Sequence, residues 1–121
     1  MELSVTNEAE GHFTVFCPAK MEWDARTDLL AALESATAGR EFRSAIIDFK
    51  NVTYINSAGL GAVFKLLEHA RKAGAKVVLS RPNPTIARLL ETVNLPALAA
   101  VAGSLQEARG MAGIAAEPPW E

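Results

Sequence analysis

From residue 44 to residue 109 the chain alternates strand-length apolar runs with stripes of helical period, and this alternation limits the possible folds more than any other feature. Ser44-Ala-Ile-Ile-Asp-Phe49 is a short apolar run of the length and type of a central strand covered on both faces. From Ser57 onward, Leu60, Val63, Phe64, Leu67 and Ala70 recur at spacings of three and four, and the stripe stops at Ala73-Gly74, a C-cap signature. Lys76-Val-Val-Leu79 reads as the next strand, Arg81-Pro-Asn-Pro84 as a turn, and Ile86, Leu89, Leu90 and Val93 as a shorter third helical stripe. Leu98 to Ala102 reads as a last edge strand. Ser104 with Glu107 three residues on forms a capping box that opens a C-terminal helix.

Upstream, Leu3 to Thr6 and His12 to Cys17 flank Asn7-Glu-Ala-Glu-Gly11, a hairpin with a loop slightly longer than the tightest type. After Pro18, Ala25, Leu29, Leu30 (or Ala32) and Leu33 share one face, and Asp24 is the expected cap of this first helix. The order is therefore β-β-α-β-α-β-α-β-α. Interleaving of this kind predicts an α/β domain with a parallel component and right-handed crossovers. The expected architecture is one small mixed β-sheet with helices packed on one side. A chain of 121 residues, 50% of them hydrophobic, builds one core and has no room for a second domain. Residues 1–115 are the expected domain, and residues 116–121, which include Pro118, Pro119 and Trp120, are the expected flexible tail.

Charge excludes some functions. The 12 basic and 14 acidic residues leave a net charge of -2, with neither a nucleic-acid footprint nor a polybasic membrane patch. No stretch approaches the roughly 18 apolar residues of a membrane span. The start, Met1-Glu-Leu-Ser, lacks the positive segment of a signal peptide, so a cytoplasmic location without membrane insertion is expected. The single cysteine, Cys17, rules out an internal disulfide and, within an apolar run, reads as a buried, inert thiol. His12 and His69 have no Cys, Asp or Glu at a metal-ligand spacing, and His69 falls on the polar side of its helix. Glu22, Asp24, Asp28, Glu34 and Glu68 read as solvated charges, and no metal or cofactor is expected.

The chemistry-bearing stretch is Asp48-Phe-Lys-Asn-Val-Thr-Tyr-Ile-Asn-Ser-Ala-Gly-Leu-Gly61, which ends one strand and opens a helix with the Ser57 hydroxyl at the junction. Unpaired N–H groups and the positive end of the macrodipole make such a junction hospitable to a phosphate. Asn56-Ser57 also reads as a plain N-cap, worth about 1 kcal/mol. Gly59-Leu-Gly61 resembles a fragment of a dinucleotide fingerprint, but Phe64 stands where the third glycine belongs, and no P-loop sequence is present. The simpler reading of these glycines is relief of a tight strand-to-helix turn; the other is close approach of a neighbouring backbone. Ser57 lacks the G-x-S-x-G elbow of a hydrolase, and no enzyme is expected.

Three segments carry a family resemblance: Ile46-Ile-Asp-Phe49 leading through Val52-Thr-Tyr-Ile55 to Asn56-Ser-Ala-Gly-Leu-Gly61, then Arg71-Lys-Ala-Gly-Ala-Lys-Val-Val-Leu79, then Pro84-Thr-Ile-Ala-Arg-Leu-Leu90. From Ile46 to about Leu95, and more loosely over residues 3–110, the chain resembles a STAS domain, the family of sulfate transporters and anti-sigma factor antagonists. The resemblance implies a single STAS-like domain and makes Ser57 the phosphorylation site of a small bacterial antagonist. It further implies a partner, an anti-sigma factor serine kinase of GHKL-type ATPase fold, bound before phosphorylation and released after it, with a PP2C-type serine phosphatase reversing the modification. The partner surface it implies comprises Lys20, Met21 and Glu22 together with Asn56, Ser57, Ala58, Gly59 and Leu60. Three departures from the family pattern stand out. Asn56 replaces the usual Asp, which either eases phosphorylation by relieving repulsion or alters the kinase contact. Ala58 replaces a second serine, and Ala19-Lys-Met-Glu22 replaces Gly-Glu-Leu-Asp. The alternative is a non-phosphorylated STAS scaffold in a lipid or anion transport complex or a stress-signalling assembly.

Overall fold

The computed structural model describes residues 3–22 and 28–114. Its strands are β1 (Ser4–Ala9), β2 (His12–Phe16), β3 (Lys20–Met21), β4 (Ser44–Asp48), β5 (Tyr54–Ile55), β6 (Lys76–Ser80) and β7 (Ala100–Ala102). Its helices are α1 (Leu29–Thr37), α2 (Ser57–Ala73), α3 (Pro84–Thr92) and α4 (Leu105–Ala112). Five strands form one sheet in the order β1-β2-β4-β6-β7, with β1 antiparallel to β2 and every other pair parallel. The mixed sheet is present and the predicted elements follow in the predicted order, with two short strands, β3 and β5, inserted before α1 and α2 that the sequence reading did not include. β4 sits at the centre and is buried at every residue, as an apolar run with both faces covered requires.

Alternation along the strands divides the core in two. Phe13, Val15, Ala45, Ile47 and Leu79 point to the face covered by Leu29 and Leu33 of α1, Val63, Leu66 and Leu67 of α2, and Ile86 and Leu90 of α3. Each large side chain fully buried here contributes about 1.5–3 kcal/mol. Ile46 and Val78 point the other way and meet Ala108 and Ala112 of α4 together with Ala102. The one-sided arrangement thus describes α1 to α3, while α4 lies across the opposite face. Its alanines let the helix come close to the two branched side chains.

Local differences have local causes. β1 runs on to Ala9 through a register shift between Asn7 and Ala9, so Glu10 and Gly11 alone make the hairpin turn, shorter than the expected loop; Gly11 supplies φ +80°. α1 starts at Leu29 with Asp28 as its cap, the carboxylate accepting from the Ala31 N–H at 3.1 Å. The expected cap Asp24 and the stripe member Ala25 lie outside the described residues, as does Trp120. In α2, Leu66 is fully buried although it stood outside the predicted stripe, because α1 and the sheet press on the helix from two directions. His69 is half-buried rather than solvated, its ring stacked on Phe42 at 6.0 Å between centroids. The expected Gly74 C-cap (φ 72°) and Ser104 cap of α4, whose hydroxyl accepts from the Glu107 N–H at 3.1 Å, both form, and within the turn at 81–84 Asn83 caps α3 by accepting from the Ile86 N–H at 2.9 Å. Among the described residues no helix is long and apolar enough to cross a membrane.

Candidate functional site

The strand-to-helix junction at Ser57 is built by hydrogen bonds that a local reading of the sequence does not disclose. β3 and β5 form a parallel two-residue ladder, Lys20 opposite Tyr54 and Met21 opposite Ile55. The Ala19 carbonyl accepts from the backbone N–H groups of Thr53 (2.8 Å) and Tyr54 (3.2 Å) and from the Thr53 hydroxyl (3.2 Å). The Met21 carbonyl accepts from the Asn56 N–H at 3.1 Å. On the far side, the Asn83 amide donates to the Val52 carbonyl at 3.1 Å, so the start of α3 steadies the same loop. These bonds hold Lys20 and Met21 beside Asn56 and Ser57 despite their separation in sequence.

Asn56 is the N-cap. Its backbone is extended, and its side-chain oxygen accepts from the Gly59 N–H at 2.9 Å. The Ser57 hydroxyl takes no part in this cap and is exposed at the first position of the helix. Capping therefore falls to Asn56, and the serine presents a free oxygen next to the amide end of a 17-residue helix.

Gly59 is where the helix touches β3. A Cβ there would lie on the Met21 carbonyl oxygen and 2.7 Å from the Met21 carbonyl carbon, whereas at Gly61 a Cβ would meet open space. Of the two readings of these glycines, close backbone approach holds for Gly59, whose φ is not left-handed. Paired residues of a ladder share a face, so Lys20 and Tyr54 project outward together while Met21 and Ile55 are buried. Of the predicted site residues, Lys20, Glu22, Ser57 and Ala58 are exposed, Asn56 and Leu60 are half-buried, and Met21 and Gly59 are buried supports. Tyr54, 49% exposed, belongs to the same surface and was missed; its signal was an aromatic residue in a polar connection three positions before the serine. Next to Ser57 an open groove of about 420 Å³ runs between α1 and α2, lined by Asp28, Leu30, Glu34, Ala58, Gly61 and Lys65.

The strand that feeds the junction ends in a buried ion pair. Asp48, 1% exposed, accepts from the Ser80 hydroxyl at 2.7 Å and from Arg81 Nε and Nη2 at 2.9 and 2.8 Å. These bonds raise the Arg81 guanidinium above its already high ordinary value. Arg81 reaches Asp48 from a left-handed backbone, φ 53°, while its N–H donates to the Ala102 carbonyl at 2.9 Å. Cys17, buried close by, has its thiol pushed well up by burial and secondarily by the Asp48 charge. It should resist iodoacetamide in the native protein and alkylate readily in urea; labelling at equal rates in both conditions would show the thiol to be accessible. Among the described residues no three His, Cys, Asp or Glu side chains gather into a cation site.

Comparison with known proteins bears on the family and the fold. The family model of the STAS domain matches residues 5–108. A STAS-domain containing protein of Pseudomonas aeruginosa is 26% identical over 100 residues, covering 81% of this chain and 96% of that protein. Among solved structures, the anti-sigma factor antagonist SpoIIAA in its unphosphorylated form superposes with a TM-score of 0.76 at 15% identity, over 94% of this chain and 99% of that one. The phosphorylated form of the Bacillus SpoIIAA gives 0.68 at 14% identity, over 86% and 94% of the two chains. The murine anion transporter Slc26a9 gives 0.70 at 18% identity, over 90% of this chain and 19% of the transporter. At these identities the structural likenesses establish the fold alone.

Proposed function

This chain belongs to the STAS domain family, and we propose that within it the protein acts as an anti-sigma factor antagonist that works by partner switching. Unphosphorylated, it binds an anti-sigma serine kinase of GHKL-type ATPase fold and so releases what that kinase held. Phosphorylation of Ser57 ends the contact, and a PP2C-type phosphatase restores it. The observation that carries this reading is the exposed Ser57 hydroxyl, relieved of capping by Asn56 and flanked by the Lys20–Tyr54 pair. The likeness to SpoIIAA in both of its forms supports it.

The physics is sufficient. A phosphate adds about -1.5 to -2 charges, and the open amide end of α2 can hold it without refolding the helix. In a desolvated interface, an added charge without a partner costs several kcal/mol, enough to dissolve a micromolar complex. Asn56 in place of a carboxylate removes one source of repulsion beside the acceptor oxygen.

The test is a parallel capture from source-cell lysate with wild-type, Ser57→Ala and Ser57→Glu baits, with mass spectrometry of Ser57 itself. Wild type and Ser57→Ala should hold a kinase-like protein, Ser57→Glu should lose it by about tenfold or more, and Ser57 should be found phosphorylated. One carboxylate carries less charge than a phosphate, so the modified protein should lose more than the mimic. A second reading, a STAS scaffold that is never phosphorylated, draws on the complete Asn56 cap and on the likeness to an anion transporter. It requires all three baits to capture the same partner and Ser57 to remain unmodified.

A further inference from the structure

The loop of residues 49–53, which joins β4 to β5, is tied to three neighbours. The Phe49 N–H donates to the Ser80 carbonyl at 2.9 Å, the Val52 N–H turns back to the Phe49 carbonyl at 3.0 Å, and the Thr53 and Tyr54 N–H groups share the Ala19 carbonyl. Between them the Val52 carbonyl accepts from the Asn83 side-chain amide at 3.1 Å, a bond across 31 positions of sequence. β5 itself has two residues, too short a ladder to fix on its own where the strand begins.

Capping does not account for the choice of asparagine at position 83. Its side-chain oxygen accepts from the Ile86 N–H at 2.9 Å and so closes the first turn of α3. Aspartate or serine caps a helix comparably, and neither carries the amide donor that the Val52 carbonyl receives. With the oxygen held by Ile86, the nitrogen faces Val52, so the two bonds together fix the orientation of the amide. The backbone that presents it is stiff. Asn83 lies between Pro82 and Pro84 and is extended (φ -68°, ψ 167°), as a residue before proline prefers. Two residues back, Arg81 is tied to Asp48 through its side chain and to the Ala102 carbonyl through its N–H. On the other side of the bond, Phe49 and Val52 are fully buried, so the loop cannot lift away to another donor without exposing them.

We propose that Asn83 is a positioning residue for the Ser57 surface, its amide holding the Val52 carbonyl so that Tyr54, Asn56 and Ser57 keep the placement in which a partner meets them. From Val52 the chain runs through β5 into the N-cap of α2, and the bonds it meets on the way come from the Ala19 and Met21 carbonyls, both on the β3 side. The Asn83 amide grips from the α3 side. Without it the segment before Ser57 is held from one direction and its entry into β5 loosens. The consequence for partner binding rests on the reading of Ser57 given above; the positioning itself does not.

The test uses the full chain as wild type, Asn83→Asp and Asn83→Ser, two substitutions that keep a cap for α3 and remove the amide donor. Backbone relaxation by NMR reads the positioning. Order parameters at Tyr54 and Asn56 should be about 0.85 in the wild type and fall below about 0.7 in the variants, while those of Ile86 and Ala87, at the start of α3, stay as they are. A residue that only capped α3 would leave Tyr54 and Asn56 unmoved. Capture from source-cell lysate then reads the consequence: the protein that wild type holds and Ser57→Glu releases should be recovered at least about fivefold less with each variant. Thermal melts confirm folding, and Asn83→Ser serves if the carboxylate of Asn83→Asp, set against the Val52 carbonyl, prevents it. Unchanged order parameters at Tyr54 and Asn56 overturn the proposal, and so does full recovery of that protein by variants whose loop has loosened. If Ser57→Glu releases nothing, it is the switch that fails, and relaxation alone decides the positioning.

Discussion

Gly59→Ala will destabilise the protein by about 3 kcal/mol or more, at or above the upper end of overpacking costs, because the added methyl strikes backbone rather than a side chain that can rotate away. The methyl would occupy the place of the Met21 carbonyl oxygen, and it also lies 3.0 Å from Ile55 Cγ1. Either α2 retreats from β3, exposing the apolar surface of Met21 and Ile55, or the β3–β5 ladder opens and the Asn56 N–H loses its acceptor. Gly61→Ala, two residues on, meets nothing and removes a helix-interior glycine, so it should stabilise by about 0.5–1 kcal/mol. Urea titration of the pair reads both signs in one experiment. Equal midpoints for the two variants would show that β3 does not press on the helix as described.

Arg81→Ala should cost about 3 kcal/mol. It leaves Asp48, 1% exposed, with the Ser80 hydroxyl as its remaining side-chain donor, and an uncompensated buried charge is expensive. The figure sits at the low end for broken buried pairs because the Arg81 side chain is 25% exposed and water can enter where it leaves. A second substitution separates backbone from side chain. Arg81 holds φ 53°, a conformation that costs an ordinary residue about 1–2 kcal/mol and glycine nothing. Arg81→Gly loses the same ion pair but relieves that strain, so it should be less damaging than Arg81→Ala. If alanine proves the milder of the two, the left-handed backbone is not a source of strain in the folded protein.

The elements with a period long enough to register were legible in the sequence. β4 and β6 declared themselves by apolar character, α2 and α3 by their stripes, the first closed by Gly74 and the second preceded by the turn at 81–84, and α4 by the capping box at Ser104. Ser57 and its neighbours were legible through the motif. What escaped was fixed by partners distant in the chain. Two-residue strands have no period, so β3 and β5 could not be seen, and with them went the register that sets Lys20 beside Tyr54. The meaning of Gly59 depends on Met21, far away in sequence, and the role of Arg81 on Asp48, 33 positions earlier; each residue alone looks like part of a turn. The face taken by α4 was equally hidden, because a helix with alanines on one side can cover either side of a sheet whose central strand is apolar on both.

The β3–β5 ladder bears also on the timing of recognition. A surface whose segments are already bonded to one another gives up little conformational entropy on docking, so encounter is not slowed by a search for the bound shape. It equally has little freedom to rearrange around an added charge. For the proposed switch, modification of Ser57 should thus leave the association rate within about an order of magnitude and act mainly by shortening the lifetime of the complex. The protein would stay quick to find a partner in both states and differ in how long it keeps one.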